Sequence, residues 1–425
     1  MLRHMRDCWI LCVRTFVLSC CGNAFAQVSY KVTDLGTLGK DNLGCAMSLN
    51  NEGWTEIMAG KFAPGQNDFV PAYPLQGRAL IGIHGHNVDL GTLGGHNTWM
   101  MWGQINDRAQ IVGYSETRAP DPNGEDVCRF DTHVTCLPFL WKDGHMSALR
   151  TLGGANGQAS GINNRGQIVG FAENGEVDST CPTGTTNNRI DRGTLWENGK
   201  SYEVPQALSP VGRDPDSVAY AINGKGEAVG YSGTCTGANH AVLWEDRSPN
   251  PLPDLGYGAT AYDINNRDQI VGAIARADGN QYAALWQNRL LKNLKTLPGD
   301  SGAIASGINR KGQVVGSTWD SHFDWSHAFI YQNGVMTDLN TLMSADSNLY
   351  ATMANKINER GQISGMARVI SGPKAGDIHA ILLTPVNESI RRSAADVART
   401  HPKTSLPANV GERLVPGFRP DQFVP

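Results

Sequence analysis

GINNRGQIVG, residues 161–170, reads as an apolar lead-in, an Asn-Asn-Arg-Gly turn and a strand-like Gln-Ile-Val-Gly. Met once, such a phrase is either a loop that holds a ligand or a hairpin that the fold requires. It is met seven times. Its relatives are SLNNEGWTEIMAG (48–60), INDRAQIVG (105–113), INGKGEAVG (222–230), INNRDQIVG (264–272), INRKGQVVG (308–316) and INERGQISG (357–365). The leading asparagines are Asn50, Asn106, Asn163, Asn223, Asn265, Asn309 and Asn358, with a mean spacing of about 51 residues. Asn bonds nearby backbone and tolerates left-handed conformations, and Gly takes positive φ freely, so Asn-x-x-Gly suits a hairpin turn. A residue present in every unit serves every unit, which favours the hairpin.

Each copy carries companions in fixed order. An apolar run ends in Trp or Tyr: PFLW (138–141), GTLW (193–196), AVLW (241–244), AALW (283–286) and AFIY (328–331). A turn and a short strand ending near Asp-Leu-Gly come next, followed by a Gly-rich link such as GTLGG (91–95) or RTLGG (150–154). Apolar residues alternate with polar or small ones at period two, the mark of half-buried strands, and no helical period of useful length occurs in the repeats. The unit is therefore four short strands. Trp141, Trp196, Trp244 and Trp286 are expected to pack between neighbouring units. His240, His327 and His379, each directly before a third strand, are expected to bond within their own units rather than share a metal.

Seven four-stranded units predict an all-β, seven-bladed β-propeller over residues 27–386. A single compact core of this length would exceed the usual limit of ~250–300 residues, whereas repetition avoids the problem. The chain ends agree. YKVTDLGTLG (30–39) reads as a fourth strand without its first three, and HAILLTPV (379–386) as a third strand without its fourth. The N-terminal strand is expected to complete the last blade and close the ring, leaving no open edge.

DLGTLGG (89–95), GINNRGQIVG (161–170) and HAFIY (327–331) together resemble the HAF repeats of bacterial extracellular repeat proteins, over about 30–386. The resemblance implies export and repetition and little else. In the first copy Trp54, Thr55 and Glu56 replace the usual Gly-Gln-Ile.

Residues 1–26 read as a secretion signal: Arg3 and Arg6, an apolar stretch over 8–20, and Ala24-Phe25-Ala26 before Gln27. Val17-Leu18-Ser19-Cys20 leaves a lipoprotein reading open. The apolar stretch is too short to span a bilayer, and no later segment could. Export places the chain outside the cytoplasm: extracellular, periplasmic or at the cell surface. Of nine cysteines, Cys45, Cys128, Cys136, Cys181 and Cys235 follow the signal. In an oxidising compartment Cys128 is expected to pair with Cys136 and Cys181 with Cys235, leaving Cys45 free. The tail 387–425 is polar, lies outside the repeat and is expected to be mobile, with at most a short helix near 388–399. A formal charge of −4 excludes nucleic acid as a partner by bulk charge.

Variation locates a site better than repetition does. The connections between second and third strands are long at 61–77, 116–136 and 172–192, and they share one face of the fold. Function tends to lie in such loops. Candidate ligand contacts there are Asp121, Asn123, Glu125, Asp126, Arg129, Asp131 and His133, with Arg189, Asp191 and Arg192 in the next unit. DPNGED (121–126) alternates oxygen donors as calcium loops do, but it lacks the Gly at position six and the distal Glu. No metal or other cofactor is expected. Trp319, His322, Asp324 and Trp325 offer a sugar-stacking group. No GxSxG, HExxH, P-loop or Asp-box is present. The expectation is a binding or interaction module that meets a surface glycan or protein through its decorated face. The alternative is an extracellular carbohydrate-active hydrolase or lyase with acids near the axis, and a third reading is a purely structural surface protein. Carboxylates with raised pKa clustered with a His at the central opening would favour the enzyme.

Overall fold

The computed structural model describes residues 28–61, 76–100, 102, 104–197, 206–321, 326–344 and 346–386. The expected signal (1–26), the tail (387–425), His322, Asp324 and Trp325 lie outside these residues. The described chain is all-β, and its one helical element is a single 3-10 turn at Leu339–Leu342. No helix among the described residues is long and apolar enough to cross a membrane.

Five sheets have four strands, each in chain order and antiparallel, as Gly157–Ile162, Ile168–Val177, Arg189–Trp196 and Gln206–Ala207 illustrate. A sixth sheet has eight strands. One half of it comprises Leu43–Leu49, Thr55–Lys61, Gln76–Ile83 and His86–Asp89. The other half comprises Leu349–Ile357, Ile363–Val369 and Ile378–Val386, against which Ser29–Gly36 lies antiparallel as the fourth strand. A single parallel pair, Leu43 with Ile378, joins the halves.

The phrase GINNRGQIVG forms the turn between first and second strands. Asn163 Oδ1 accepts the N–H groups of Arg165 and Gln167 at 3.0 and 3.1 Å, and Gly166 sits at φ +85°. The closing glycine has a separate cause. The first strand bulges between Ala159 and Gly161, and a Cβ on Gly170 would overlap the carbonyl of Gln158. Gly230, Gly272, Gly316 and Gly365 meet the same obstacle in their own units.

The asparagine also reaches beyond its own turn. Asn50 Nδ2 donates to the carbonyl of Asn106, Asn106 to Asn163, Asn163 to Asn223 and Asn223 to Asn265. Asn265 donates to Asn309, Asn309 to Asn358, and Asn358 returns to Asn50. All seven asparagines are buried. Seven hydrogen bonds thus run head to tail through every unit and back to the first.

Between sheets the contacts are apolar. Val112 and Leu140 of unit two pack on Ile162, Ile168 and Trp196 of unit three. Val229 and Leu243 of unit four pack on Ile264, Ile270 and Trp286 of unit five. Met366 and Ile378 of unit seven share a cluster with Leu43 and Met58 of unit one. The tryptophans lie between neighbours as expected. Trp196, Trp244 and Trp286 donate their indole N–H to the carbonyls of Arg150, Ser209 and Pro253 in the preceding links. Burying a large aromatic while satisfying its one donor makes such a contact worth ~3–5 kcal/mol on truncation.

Candidate active or binding site

The long connections of units two and three lie together and are laced by their own side chains. Asp121 Oδ1 accepts the N–H groups of Asn123 and Glu125, and its other oxygen accepts Asn156 Nδ2 at 2.8 Å. The Asp126 carboxylate accepts the N–H groups of Phe130 and Asp131. Across to unit three, Glu125 Oε1 accepts from Asn188 and Arg189, and Asp126 N–H donates to Asn187 Oδ1. Arg189 Nη2 returns a bond to Asn123 Oδ1 at 2.7 Å. The carboxylates of DPNGED are therefore committed to organising two loops.

Two disulfides finish the construction, with the expected pairing: Cys128–Cys136 within the unit-two loop and Cys181–Cys235 between units three and four. Cys45 is free and buried. Among the described residues one group of three metal-type donors converges, Asp178, Cys181 and Cys235, and its two sulfurs are spent on the disulfide. His327 and His379 bond within their own sheets, to Asp300 at 3.1 Å and to Asp34 at 2.9 Å.

These loops overhang a cavity of about 380 Å³. Glu125, Arg129, Arg189 and Asp191 from the expected set line it, joined by Glu173 and Asp216. Its aromatic side is Tyr114, Phe171, Tyr220, Tyr231 and Trp102. Trp102 of unit two stacks on Tyr262 of unit five, with centroids 4.5 Å apart and planes 7° from parallel. Tyr220 of unit four leans on both rings at 5.5 Å. Units two, four and five are thereby tied through one aromatic cluster beneath the cavity.

The acids have a traceable origin. In unit three, Asn156 accepts the Cys136 N–H from unit two, while Glu173 accepts the N–H groups of Ala155 and Asn156. Glu116 treats His96 and Asn97 in the same way one unit earlier. In unit four the place of Asn156 is taken by Asp216, seven residues before the phrase asparagine in each case. Asp216 Oδ1 accepts the N–H of Asp191 at 3.0 Å. A framework bond that is neutral elsewhere here brings two carboxyl groups together. Burial first, and then the charges of Asp216, Glu173 and Glu125, hold Asp191 well above the usual carboxylate range, against the pull of Arg129. Burial, with the charge of Asp178 adding to it, pushes Asp216 up to about 7. Burial and the nearby Glu125 push Glu173 up to about 6.

Arg129 sits at φ +63°, Asp131 at +57° and His133 at +50°, a run of left-handed backbone that non-glycine residues seldom adopt. The Cys128–Cys136 bridge and the Asp126 bonds over-determine this stretch. Its result is a guanidinium whose charge acts on Asp191, Tyr114, Tyr220 and Tyr231 alike.

Other expected residues fall elsewhere. Arg192 is outside the cavity lining, although its charge acts on Asp216. Asp131 is exposed, and His133 is held by the Gly124 carbonyl at 2.9 Å, so no His joins the acids among the described residues. Trp319 is 4% exposed, inside Val314–Trp319, and a Cβ on Gly302 would strike its ring. It offers no face to a sugar, which corrects the stacking expectation. Its place at the end of the strand, with the ring over Gly302 of the paired strand rather than in the loop after it, is the reason.

Trp102, Tyr114, Phe171, Glu173, Asp216, Tyr220, Tyr231 and Tyr262 were not singled out by the motif reading. Comparison of equivalent positions exposes several. Tyr220 and Tyr262 stand three residues before the phrase asparagine, where units three and six have Ser160 and Ser306.

No protein-family model and no curated protein matches the chain. Among solved structures it is similar to virginiamycin B lyase from Staphylococcus aureus, at 10% identity and TM-score 0.49, over 84% of this chain and 100% of that one. It is also similar to a streptogramin B lyase, at 8% identity and TM-score 0.47, over 84% and 98% of the two chains. The Aleuria aurantia lectin, solved with Fucα1-6GlcNAc, is similar at 10% identity and TM-score 0.35, over 73% and 94%.

Proposed function

We propose that the protein is an exported, closed seven-bladed β-propeller of the HAF-repeat kind that binds a surface saccharide in this cavity. Closure is supported by the cyclic chain of asparagine bonds and by Ser29–Gly36 as the fourth strand of unit seven. Export is supported by two disulfides and by the signal-like N-terminus.

One observation carries the choice of ligand: the cavity sets aromatic rings opposite carboxyl and guanidinium groups. A sugar ring presents C–H faces that pack on aromatic surfaces and hydroxyls that bond charged groups. At about 380 Å³ the cavity suits one or two sugar residues, within the range of small-ligand sites. The test is a glycan array followed by calorimetry on the secreted protein. Tyr231→Ala and Asp191→Ala should each weaken the selected glycan at least tenfold. Failure of every glycan, or binding indifferent to both substitutions, ends the proposal.

A second reading has its own observation. Asp191 and Asp216 are neighbouring acids, Asp216 pushed up to about 7 and Asp191 held well above the usual carboxylate range by burial, and environments that separate two carboxyl groups are how acid–base pairs arise. Such a pair can cleave a glycosidic linkage by hydrolysis or elimination. Release of new sugar ends between pH 5 and 8, lost in Asp191→Asn while binding persists, would establish it.

A further inference from the structure

The cavity is lined by carboxyl groups and by Arg129 and Arg189, and most of the carboxyl oxygens are already spent. Glu125 accepts from the N–H groups of Asn188 and Arg189. Glu173 uses both oxygens on Asn156 and its neighbour, and Asp216 accepts from Asp191. The donors are in surplus instead. Arg189 Nη1 and Nη2 donate to the Gly175 carbonyl and to Asn123 Oδ1, while its Nε is buried without a hydrogen-bond partner among the described residues; Arg192 Nη1, behind the cavity lining, is in the same state. A buried donor left unmet costs ~1–3 kcal/mol, more when charged, so the orphaned Nε of Arg189, a residue of the cavity wall, calls for an acceptor from outside. Arg129, fixed by its left-handed backbone and the Cys128–Cys136 bridge, supplies a further positive charge within reach of Asp191, Tyr220 and Tyr231. Guanidinium forks match carboxylate geometry in a way that no other side chain does.

We propose that the saccharide taken by this cavity is a uronic acid, its carboxylate held by Arg189 and Arg129 while its ring lies over the tyrosines. The inference rests on the saccharide reading and goes beyond it by naming the charged group.

The experiment is calorimetry of the full secreted chain with galacturonate, glucuronate, mannuronate and guluronate oligomers, each against its methyl ester. Esterification removes the charge and keeps the ring and hydroxyls. At least one free acid should bind tenfold or more tighter than its ester. Arg129→Gln and Arg189→Gln should bring that ratio to within about twofold while melting near the wild-type temperature. Equal binding of acid and ester, or a ratio that survives in both variants, overturns the proposal. Should either variant misfold, the acid-to-ester ratio of the wild-type chain decides alone. Neutral glycans bound with no uronate bound would overturn the uronate inference and leave the saccharide site standing. No sugar bound at all would overturn both.

Discussion

The two ends of the repeat use the same chemistry to opposite purposes. At the turn end, every unit contributes one asparagine with the same duties: two backbone N–H groups accepted, one carbonyl of the next unit reached. At the loop end, units two and three carry longer connections than units four to six, and unit two adds the left-handed backbone at Arg129, Asp131 and His133. Identical bonds made seven times tie each unit to the next and leave nothing over for a ligand. Bonds made once, between Asp121 and Asn156 or Glu125 and Asn188, position groups that no other unit has. Repetition therefore marks the scaffold, and departure from it marks the site.

The sharpest way to break that comparison is Asn163→Ala. It removes the bonds to Asn223 and Gln167, and it strips Arg165 and Gln167 of their acceptor, all in a buried place. A loss of ~3 kcal/mol is expected, since several hydrogen bonds go and buried partners are left unmet. Denaturant unfolding measures it. Asp191→Asn in the cavity should cost no stability and should stabilise the chain at neutral pH, because burial keeps a proton on the folded carboxyl that the unfolded one has lost. If the two substitutions cost alike, the division into scaffold and site is wrong.

The disulfides test the loop end directly. Cys181 and Cys235 are 54 residues apart, Cys128 and Cys136 only 8. A longer closed loop constrains the unfolded chain more, so replacing the first pair by serines should cost ~2–3 kcal/mol and the second about 1 kcal/mol less. The order should reverse for ligand affinity, because the shorter bridge holds Arg129. A glycan titration on both variants reads this.

How much of this was legible beforehand follows the same line. The four-strand unit, the pairing of the cysteines, the inter-sheet tryptophans and the loops to search all follow from period and spacing. Glu125 and Arg129 were within reach because they sit in a long, unrepeated loop, and Arg189 and Asp191 because they open the strand that follows one. Tyr220, Tyr262 and Asp216 were not, because they sit inside regular first strands, where a motif search sees only period-two filler. Trp102 and Tyr262 are 160 residues apart in sequence and 4.5 Å apart as rings. No spacing rule connects them until the sheets are arranged about a common centre. Trp319 failed for the converse reason: aromatic character near a loop suggested a platform, and register turned the ring inward.

The smallest expected effect is also the most specific. Asp216 occupies an asparagine's place and titrates at about 7 against an ordinary 3.8, and Glu173 at about 6 against 4.5. Between pH ~4 and ~7 the folded chain then binds more protons than the unfolded one, so these groups make stability fall as pH rises through that window. Asp107 and Asp178, held below the usual range by hydrogen bonds that outweigh their burial, act oppositely, and their contribution is lost as pH falls below ~4. Asp216→Asn keeps an oxygen for the Asp191 N–H, as Asn156 does for Cys136. It should match the wild type only near pH ~4 and below, where Asp216 is protonated in the folded and unfolded chains alike, and gain on it as pH rises. Between pH 5 and pH 8 its advantage should grow by a further ~2 kcal/mol, a few degrees in melting temperature. Thermal melts of both chains at half-unit pH steps read the divergence. Curves that stay parallel from pH 5 to 8 would show that Asp216 is ionised throughout, and that the one place where the scaffold's own bond turns acidic is not where the site begins.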